Sequence, residues 1–225
     1  MTVLVIAALV WIGIHIGIAG TGVRNAIVAR IGDGPFRGLF ALLSIAAIAF
    51  LVRAWSTAAT TPLWYAPIWL RWVLVAVMLV AFVLFVASVG RSNPTMIGGE
   101  TAMAQSPRGI QRITRHPMLW SFALWAAVHI IGSGDTAAIV FFGGILVTAL
   151  AGMPSIDAKL ARRDPAAWQA LSAATSIMPF AAIAQGRNRF VPGEIGWLTV
   201  LTGVIAWAVV LRLHPWLFGV APVAM

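Results

Sequence analysis

Apolar residues dominate the chain in six long stretches that shorter polar segments separate. The stretches lie at about residues 2–20, 38–54, 68–89, 118–133, 136–154 and 195–212. A helix needs roughly 17 to 25 such residues to cross the hydrocarbon core of a bilayer. The pattern therefore predicts an all-α bundle of six transmembrane helices, in one integral membrane domain that covers residues 1–225.

The composition agrees with a membrane protein. Hydrophobic residues make up 61% of the 225 positions and charged residues only 9%, whereas soluble domains carry about a quarter charged residues. No positive residue precedes the first apolar stretch and no small-residue cleavage site follows it, so it is predicted to be a retained span rather than a signal peptide. The chain has no cysteine, which excludes disulfides, iron–sulfur clusters, a thiolate haem ligand and covalent haem attachment.

The basic residues are unevenly distributed between the two sides of the predicted bundle. The formal charge of +9 comes mostly from the first, third and fifth connections, which hold 12 of the 15 basic residues. The positive-inside rule therefore places both termini outside, in the periplasm, for a multi-pass protein of a bacterial inner membrane. The charge indicates contact with anionic lipids rather than with nucleic acid. The twelve residues are Arg24, Arg30, Arg37, Arg91, Arg108, Arg112, Arg115, Lys159, Arg162, Arg163, Arg187 and Arg189.

Local signals predict further details of the helices and their connections. Residues 22–36 and 156–172 mix basic and apolar residues at helical spacing, which is typical of helices that lie on a membrane surface. Asp135 is placed to cap the fifth span, and Pro117 can occupy the first position of the fourth, where Thr114 or His116 can bind free amides. Small residues at Gly144, Thr148 and Gly152, and at Gly13 and Gly17, predict close helix packing.

Two histidines are the only ionisable residues deep inside the predicted spans, because Arg53, Arg71 and Arg212 lie near span ends. His15 lies in the first span and His129 in the fourth, while every Asp and Glu lies in a connection or at a helix end. Each histidine has a tryptophan four residues earlier, Trp11 or Trp125, on the same helix face. The imidazoles can form hydrogen bonds across the bundle, or they can bind the two faces of one flat cofactor, as in bis-histidine haem proteins. The pattern leaves both interpretations open.

The stretch "RITRHPMLWSFALWAAVHIIGSGD" resembles the NnrU family of membrane proteins, which includes the 15-cis-zeta-carotene isomerases. The resemblance extends to His15 and to "GPFRGLFALLSI" at the start of the second span. It implies haem b as cofactor, with His15 and His129 as iron ligands and His116 as a third family histidine. Rings of Trp11 and Trp125 would then pack at the porphyrin edge, and the haem propionates need cationic partners such as Arg24, Arg112 and Arg115.

The resemblance implies two related functions and leaves two alternatives. The implied functions are redox-dependent isomerisation of an apolar, polyene-like substrate, and electron transfer to a respiratory partner in nitrogen-oxide (denitrification) metabolism. One alternative is a non-catalytic assembly factor for a nitrite or nitric oxide reductase. The other is a membrane methyltransferase, since an Arg-His-Pro segment also occurs there. The paired glutamates of those enzymes are absent here, because the chain has only Glu100 and Glu194.

Overall fold

The computed structural model describes residues 1–90, 93–95, 102–103 and 105–223. Arg91 and Glu100 lie outside the described residues. Over these ranges the regular elements are helices, apart from one isolated bridge between Pro62 and Asp135. The α-helices are α1 (Thr2–Ile12), α2 (Gly22–Ile31), α3 (Asp33–Ser56), α4 (Ile68–Val89), α5 (Ile110–Ile113), α6 (Pro117–Ser133), α7 (Thr136–Arg163), α8 (Pro165–Ala174), α9 (Ala181–Ala184) and α10 (Trp197–Phe218).

Four helices in the described part of the chain are long and apolar enough to cross a membrane: α3, α4, α7 and α10. The segment Thr2–Ile18 passes the same test together with α2, although the two are bent by 73° at a short break. Helix α6 is apolar but has only 17 residues. A helical membrane protein is therefore confirmed, whereas six spans and the external termini stay predictions.

The first predicted span is not one regular α-helix. Helix α1 ends at Ile12, and Gly13–Ile18 form a π-helix that closes with a bond from the Ala19 amide to the Ile14 carbonyl (3.1 Å). Glycines at 13 and 17 weaken the α-helix here because glycine is a poor helix former. The surface helix predicted at 22–36 is also shorter, since α2 stops before Gly32, whose φ of 87° ends the helix.

The described contacts divide the chain into two units, and the first comprises Met1–Pro67 with Ala126–Ser155. Helix α1 buries Leu4, Ala7 and Ala8 against its neighbours. A methyl group at Gly144 of α7 would lie 3.4 Å from the Ala8 side chain, so these helices approach closely, as the small-residue pattern predicts. Among the described residues, no atom lies within 4 Å of a methyl group added at Gly13 or Gly17. Helix α1 therefore approaches α7 at Ala8 rather than at the predicted glycines.

Asp135 fixes the turn between α6 and α7 in the first unit. Its Oδ1 accepts hydrogen bonds from the Ala138 amide (2.8 Å) and from the Thr60 hydroxyl (2.6 Å). The predicted helix cap is thus confirmed. The Gly134 carbonyl also accepts from the Leu63 amide (2.7 Å), so the extended segment after α3 is held against this turn.

The second unit comprises Ile68–Trp125 with Ile156–Met225, and α4 and α10 form its largest helix pair. Their backbones approach so closely that a methyl group at Gly203 would lie 2.9 Å from the Val83 Cα. Trp207 Nε1 donates to the Val75 carbonyl (3.0 Å) across the same interface. The helix predicted at 156–172 is two helices rather than one: α7 continues to Arg163, and α8 begins separately behind its cap Asp164.

Candidate functional site

His15 lies in the π-helical segment and has a defined tautomer. Its Nδ1 lies 2.9 Å from the Trp11 carbonyl oxygen. A carbonyl oxygen can only accept, so Nδ1 carries the hydrogen and Nε2 of the neutral ring keeps its lone pair. Most metal-binding histidines are oriented by such a hydrogen bond, donated by the ring nitrogen that does not bind the metal. Short π-helical segments also occur frequently at functional sites.

Aromatic rings surround His15 within the first unit. The Trp11 ring centroid lies 3.9 Å from that of the imidazole, and Phe40 of α3 meets it edge-on at 5.4 Å. Trp11 and His15 therefore lie on one helix face, as their spacing predicts. Trp11 Nε1 is buried and has no hydrogen-bond partner among the described residues. A buried donor without an acceptor is costly, so the neighbourhood of His15 is suited to a ligand that offers one.

His129 lies in the same unit as His15 but at a different height. Its ring stacks on Phe142 with centroids 4.8 Å apart, whereas Gly144, two positions later in α7, is level with Ala8. Helix α7 runs parallel to the first segment, because Ser155 Oγ donates to the Gly20 carbonyl further along both. His15 therefore lies seven residues beyond the level of Gly144. The two histidine backbones are thus offset by about 14 Å along the helix axes, at about 1.5 Å per residue.

The expected orientation of the two imidazoles brings their rings closer together than their backbones. Side chains lean towards the N-terminus of their own helix, and the His15 ring follows this rule by bonding to Trp11 one turn earlier. Helices α6 and α7 are antiparallel across a two-residue turn, and α7 is parallel to α1, so α6 and α1 run in opposite directions. We therefore expect the His129 and His15 rings to lean towards each other. Trp125, the other predicted ring, is half-buried on α6.

The three predicted propionate partners already bind carboxylates. Arg24 bonds to Asp33 at 2.6 Å and lies over the Phe36 ring, which stacks on Phe40 beside His15. Arg24 is therefore connected to the His15 site through aromatic rings. Arg112 and Arg115 belong to the second unit, where each has its own acidic partner.

Arg115 and His116 form a buried cluster with Asp157. Arg115 Nε and Nη2 donate to Asp157 Oδ2 at 3.0 and 2.6 Å, and His116 Nε2 donates to Oδ1 at 2.7 Å. The guanidinium also lies 5.2 Å from the Trp168 ring centroid. His116 is 1% exposed, and its Nδ1 has no hydrogen-bond partner within the described ranges. The imidazole is engaged in this cluster and does not cap α6, contrary to one of the predicted roles.

The backbone around this cluster is tied down on both sides. Thr114 Oγ1 donates to the Ile177 carbonyl (2.8 Å) and accepts from the His116 amide (3.2 Å), which is the amide-binding role predicted for Thr114. The Arg115 amide donates to the Ser176 carbonyl (3.1 Å), and Pro117 begins α6 as predicted. The Arg-His-Pro segment is therefore a rigid, buried junction.

Arg112 forms a second, more exposed ion pair. Its Nε and Nη2 donate to Glu194 Oε2 and Oε1 at 2.7 and 2.9 Å, and the Gly109 amide also donates to Oε2 (2.9 Å). The bond with Arg112 is the main reason that the pKa of Glu194 falls to about 2. The same bond raises the pKa of Arg112.

The residues near His15 meet the requirements of one haem ligand. They provide an unprotonated Nε2, aromatic rings and a buried indole donor without a partner. His129 shares the unit, where its ring stacks on Phe142. His116 does not share this unit, and its Nε2 is occupied by Asp157. His15 therefore fits a cofactor ligand best among the three histidines.

Sequence reasoning missed several residues of these sites. Asp157 was assigned to a surface helix, although it shares a helix face with the buried Leu160 three residues later. The signal available in the sequence was Asp157 itself, an acidic residue on an otherwise apolar helix face, which indicates a buried partner. Phe40 and Phe142 had no distinguishing pattern in an apolar chain, and Glu194 was noted only as an isolated glutamate.

Helices of this length and hydropathy, with a histidine held among aromatic rings, define a helical membrane protein with a candidate cofactor site. The chain belongs to the NnrU family, whose description is "NnrU protein" and which it matches over residues 3–222. The 15-cis-zeta-carotene isomerase of Zea mays chloroplasts is 37% identical to it over 81 residues, and that of Arabidopsis thaliana is 36% identical over 80. Each match covers 36% of this chain and 22% of the relative. No solved structure matches the chain.

Proposed function

We propose that this protein is a membrane isomerase that acts on an apolar, polyene-like substrate at a site around His15. The observation that carries the proposal is the His15 imidazole, whose Nε2 is unprotonated and which lies among Trp11 and Phe40 in a π-helical segment. The similarity to 15-cis-zeta-carotene isomerases supplies the reaction type and the substrate class. The match that supplies the reaction type and the substrate class covers 22% of each relative.

The proposal includes haem b as cofactor, with His15 as one iron ligand and His129 as the candidate for the second. A bound haem iron supplies reversible one-electron chemistry and, where a coordination position opens, a site for interaction with a neighbouring molecule. Within the chain, the Trp11 carbonyl holds the His15 ring in position, and the rings of Trp11 and Phe40 pack against it. The apolar surroundings suit a hydrocarbon substrate that enters from the lipid.

The proposal also places the protein in a bacterial inner membrane with six spans and both termini in the periplasm. The asymmetric distribution of basic residues supports this orientation. For six spans, α1 with the π-helical segment and α6 must each cross the membrane in addition to the four longer helices. Electron transfer linked to nitrogen-oxide metabolism is a second use of the same cofactor.

The test combines absorption spectra with product analysis. The full chain is purified in detergent from cells supplied with haem, and the same gene is expressed in cells that accumulate 15-cis-zeta-carotene. We expect a Soret band that shifts on reduction with dithionite, and loss of the 15-cis isomer from the cells. Both should disappear in His15→Ala and persist in the control His214→Ala. An unchanged isomer ratio with well-expressed protein would contradict the isomerase, and a haem spectrum without isomerisation would favour electron transfer.

A further inference from the structure

A polar cavity of about 480 Å³ lies in the second unit, and none of its lining residues in the described part of the chain is a histidine. Its volume is that of a site for a small organic ligand. The end of α4, α5 with the segment before it, and the first turn of α10 form its walls. Its polar lining residues are Asn93, Gln105, Ser106, Arg108, Gln111, Glu194 and Thr199.

Asn93 gives this cavity an unused hydrogen-bond donor. The residue is 3% exposed, and its Oδ1 accepts from the Thr95 amide (3.0 Å) and hydroxyl (2.9 Å). The amide donor fixes the orientation of the carboxamide, because only Oδ1 can accept from it. Nδ2 is therefore turned away from Thr95, and it has no hydrogen-bond partner among the described residues. A buried amide donor of this kind calls for an acceptor.

The charges of the wall favour an anion. Glu194 is the acidic lining residue, but Arg112 and the Gly109 amide bind both of its oxygens. Because Arg112 balances the charge of Glu194, Arg108 gives the described wall a net positive charge. The Arg108 side chain is exposed. Thr199 lies in the first turn of α10, where the amides of a 22-residue helix present the positive end of its dipole.

We propose that this cavity binds the phosphate group of a small ligand, with Arg108 as its cation and Asn93 as a neutral donor. A guanidinium, an amide and a helix N-terminus together match the charge and the several acceptor oxygens of a phosphate. The phosphate comes either from a soluble phosphorylated compound or from the headgroup of an anionic lipid. This inference is independent of the proposed isomerase, because no residue near His15 takes part in it.

Binding is measured with the full chain in detergent, by the thermal shift caused by inorganic phosphate and by glycerol 3-phosphate, against chloride of equal ionic strength. Two variants remove the proposed contacts. Asn93→Asp keeps the acceptor for Thr95 but replaces the free donor with a negative charge, and Arg108→Gln removes an exposed cation with little effect on folding. We expect the dissociation constant to rise about tenfold or more in each variant, as is typical when a charge-assisted hydrogen bond is lost.

Nanodiscs separate the two sources of phosphate. Stabilisation by phosphatidylglycerol over phosphatidylcholine, with no effect of glycerol 3-phosphate, identifies a lipid headgroup, whereas the reverse identifies a soluble ligand. Either result supports the site if Arg108→Gln weakens it, even where Asn93→Asp fails to fold. The proposal is overturned if neither probe stabilises the wild type, or if both variants respond as the wild type does.

Discussion

His116 Nε2 lies 2.7 Å from Asp157 Oδ1, and Arg115 binds the other oxygen of the same carboxylate. The side chains of Arg115 and Asp157 are only 11% and 10% exposed. This contact joins the segment before α6 to the last part of α7 within the second unit. Three ionisable groups thus share one desolvated site, and each depends on the others for its stability.

Replacing Asp157 by Asn should destabilise the protein strongly. The substitution keeps the shape but leaves the buried Arg115 cation without a compensating charge, which typically costs about 3–5 kcal/mol. Thermal unfolding in detergent, followed by tryptophan fluorescence, measures the effect. Asp164→Asn is the matched control, because Asp164 is an exposed helix cap and asparagine caps equally well. Equal melting temperatures for the two variants would contradict this account of the cluster.

The cluster also shows where sequence reasoning stops. The histidine-proline junction and the start of α6 could be predicted, because capping residues and proline have strong local preferences. The partner Asp157 could not be predicted, since hydropathy falls after residue 154 and indicates that the span ends there. In the structure α7 continues to Arg163 and carries Asp157 into a buried position. Pairing between segments 41 residues apart has no local signature.

Membrane helices were easier to predict than their interruptions. Long apolar runs fix the positions of α3, α4, α7 and α10, because length and hydropathy are all that a span requires. The π-helical segment at Gly13–Ile18 is equally apolar, so no hydropathy pattern distinguishes it from α-helix. His15 itself could be singled out, as an ionisable residue within an apolar stretch. Its aromatic neighbour Phe40 could not.

Gly134 should tolerate no side chain. Its φ is 68°, and a Cβ would collide with the Trp64 carbonyl of the segment held against the turn. We expect Gly134→Ala to lose more than about 1 kcal/mol of stability. Gly143→Ala is a suitable comparison within α7, because nothing lies within 4 Å of its added methyl group. That variant should be neutral or more stable by up to about 1 kcal/mol, and a similar loss in both would argue against the turn geometry.

The Arg112–Glu194 pair should lose its contribution in acid. Folding lowers the pKa of Glu194 from 4.5 to about 2, so the ionised carboxylate stabilises the folded state above about pH 4.5. The contribution disappears as the pH falls from 4.5 towards 2, where the folded state also takes up the proton. The melting temperatures of the wild type and Glu194→Gln should therefore differ at pH 7 and converge as the pH falls towards 2. A difference that does not change with pH would show that the charge of Glu194 is not involved.

His116 should be dispensable for haem binding but important for folding. Its Nε2 is bound by Asp157, whereas His15 has an unprotonated Nε2. His116→Ala should lower the melting temperature by several degrees, since it removes a bond to a buried carboxylate. Any Soret band of the wild type should keep its position and its amount per folded protein. Loss of the band in His116→Ala but not in His15→Ala would reverse the assignment.

The number of spans can be tested directly because the chain has no cysteine. Single cysteines at Ala59 and Ala166, both exposed, report on the connection after α3 and on α8. With six spans and both termini outside, a membrane-impermeant maleimide should label Ala59→Cys in intact cells and label Ala166→Cys only after the membrane is opened. If α6 does not cross the membrane, α7 must cross in the opposite direction or fail to cross. Ala166→Cys would then lie on the same side as Ala59→Cys if α7 alone crosses, and on the opposite side if neither helix crosses. Labelling of both cysteines in intact cells would exclude the six-span arrangement, and the alternating result would exclude the crossing of one helix alone. The bond from the Leu63 amide to the Gly134 carbonyl places the α6–α7 turn beside the connection that carries Ala59, so the alternating result then requires both helices to cross.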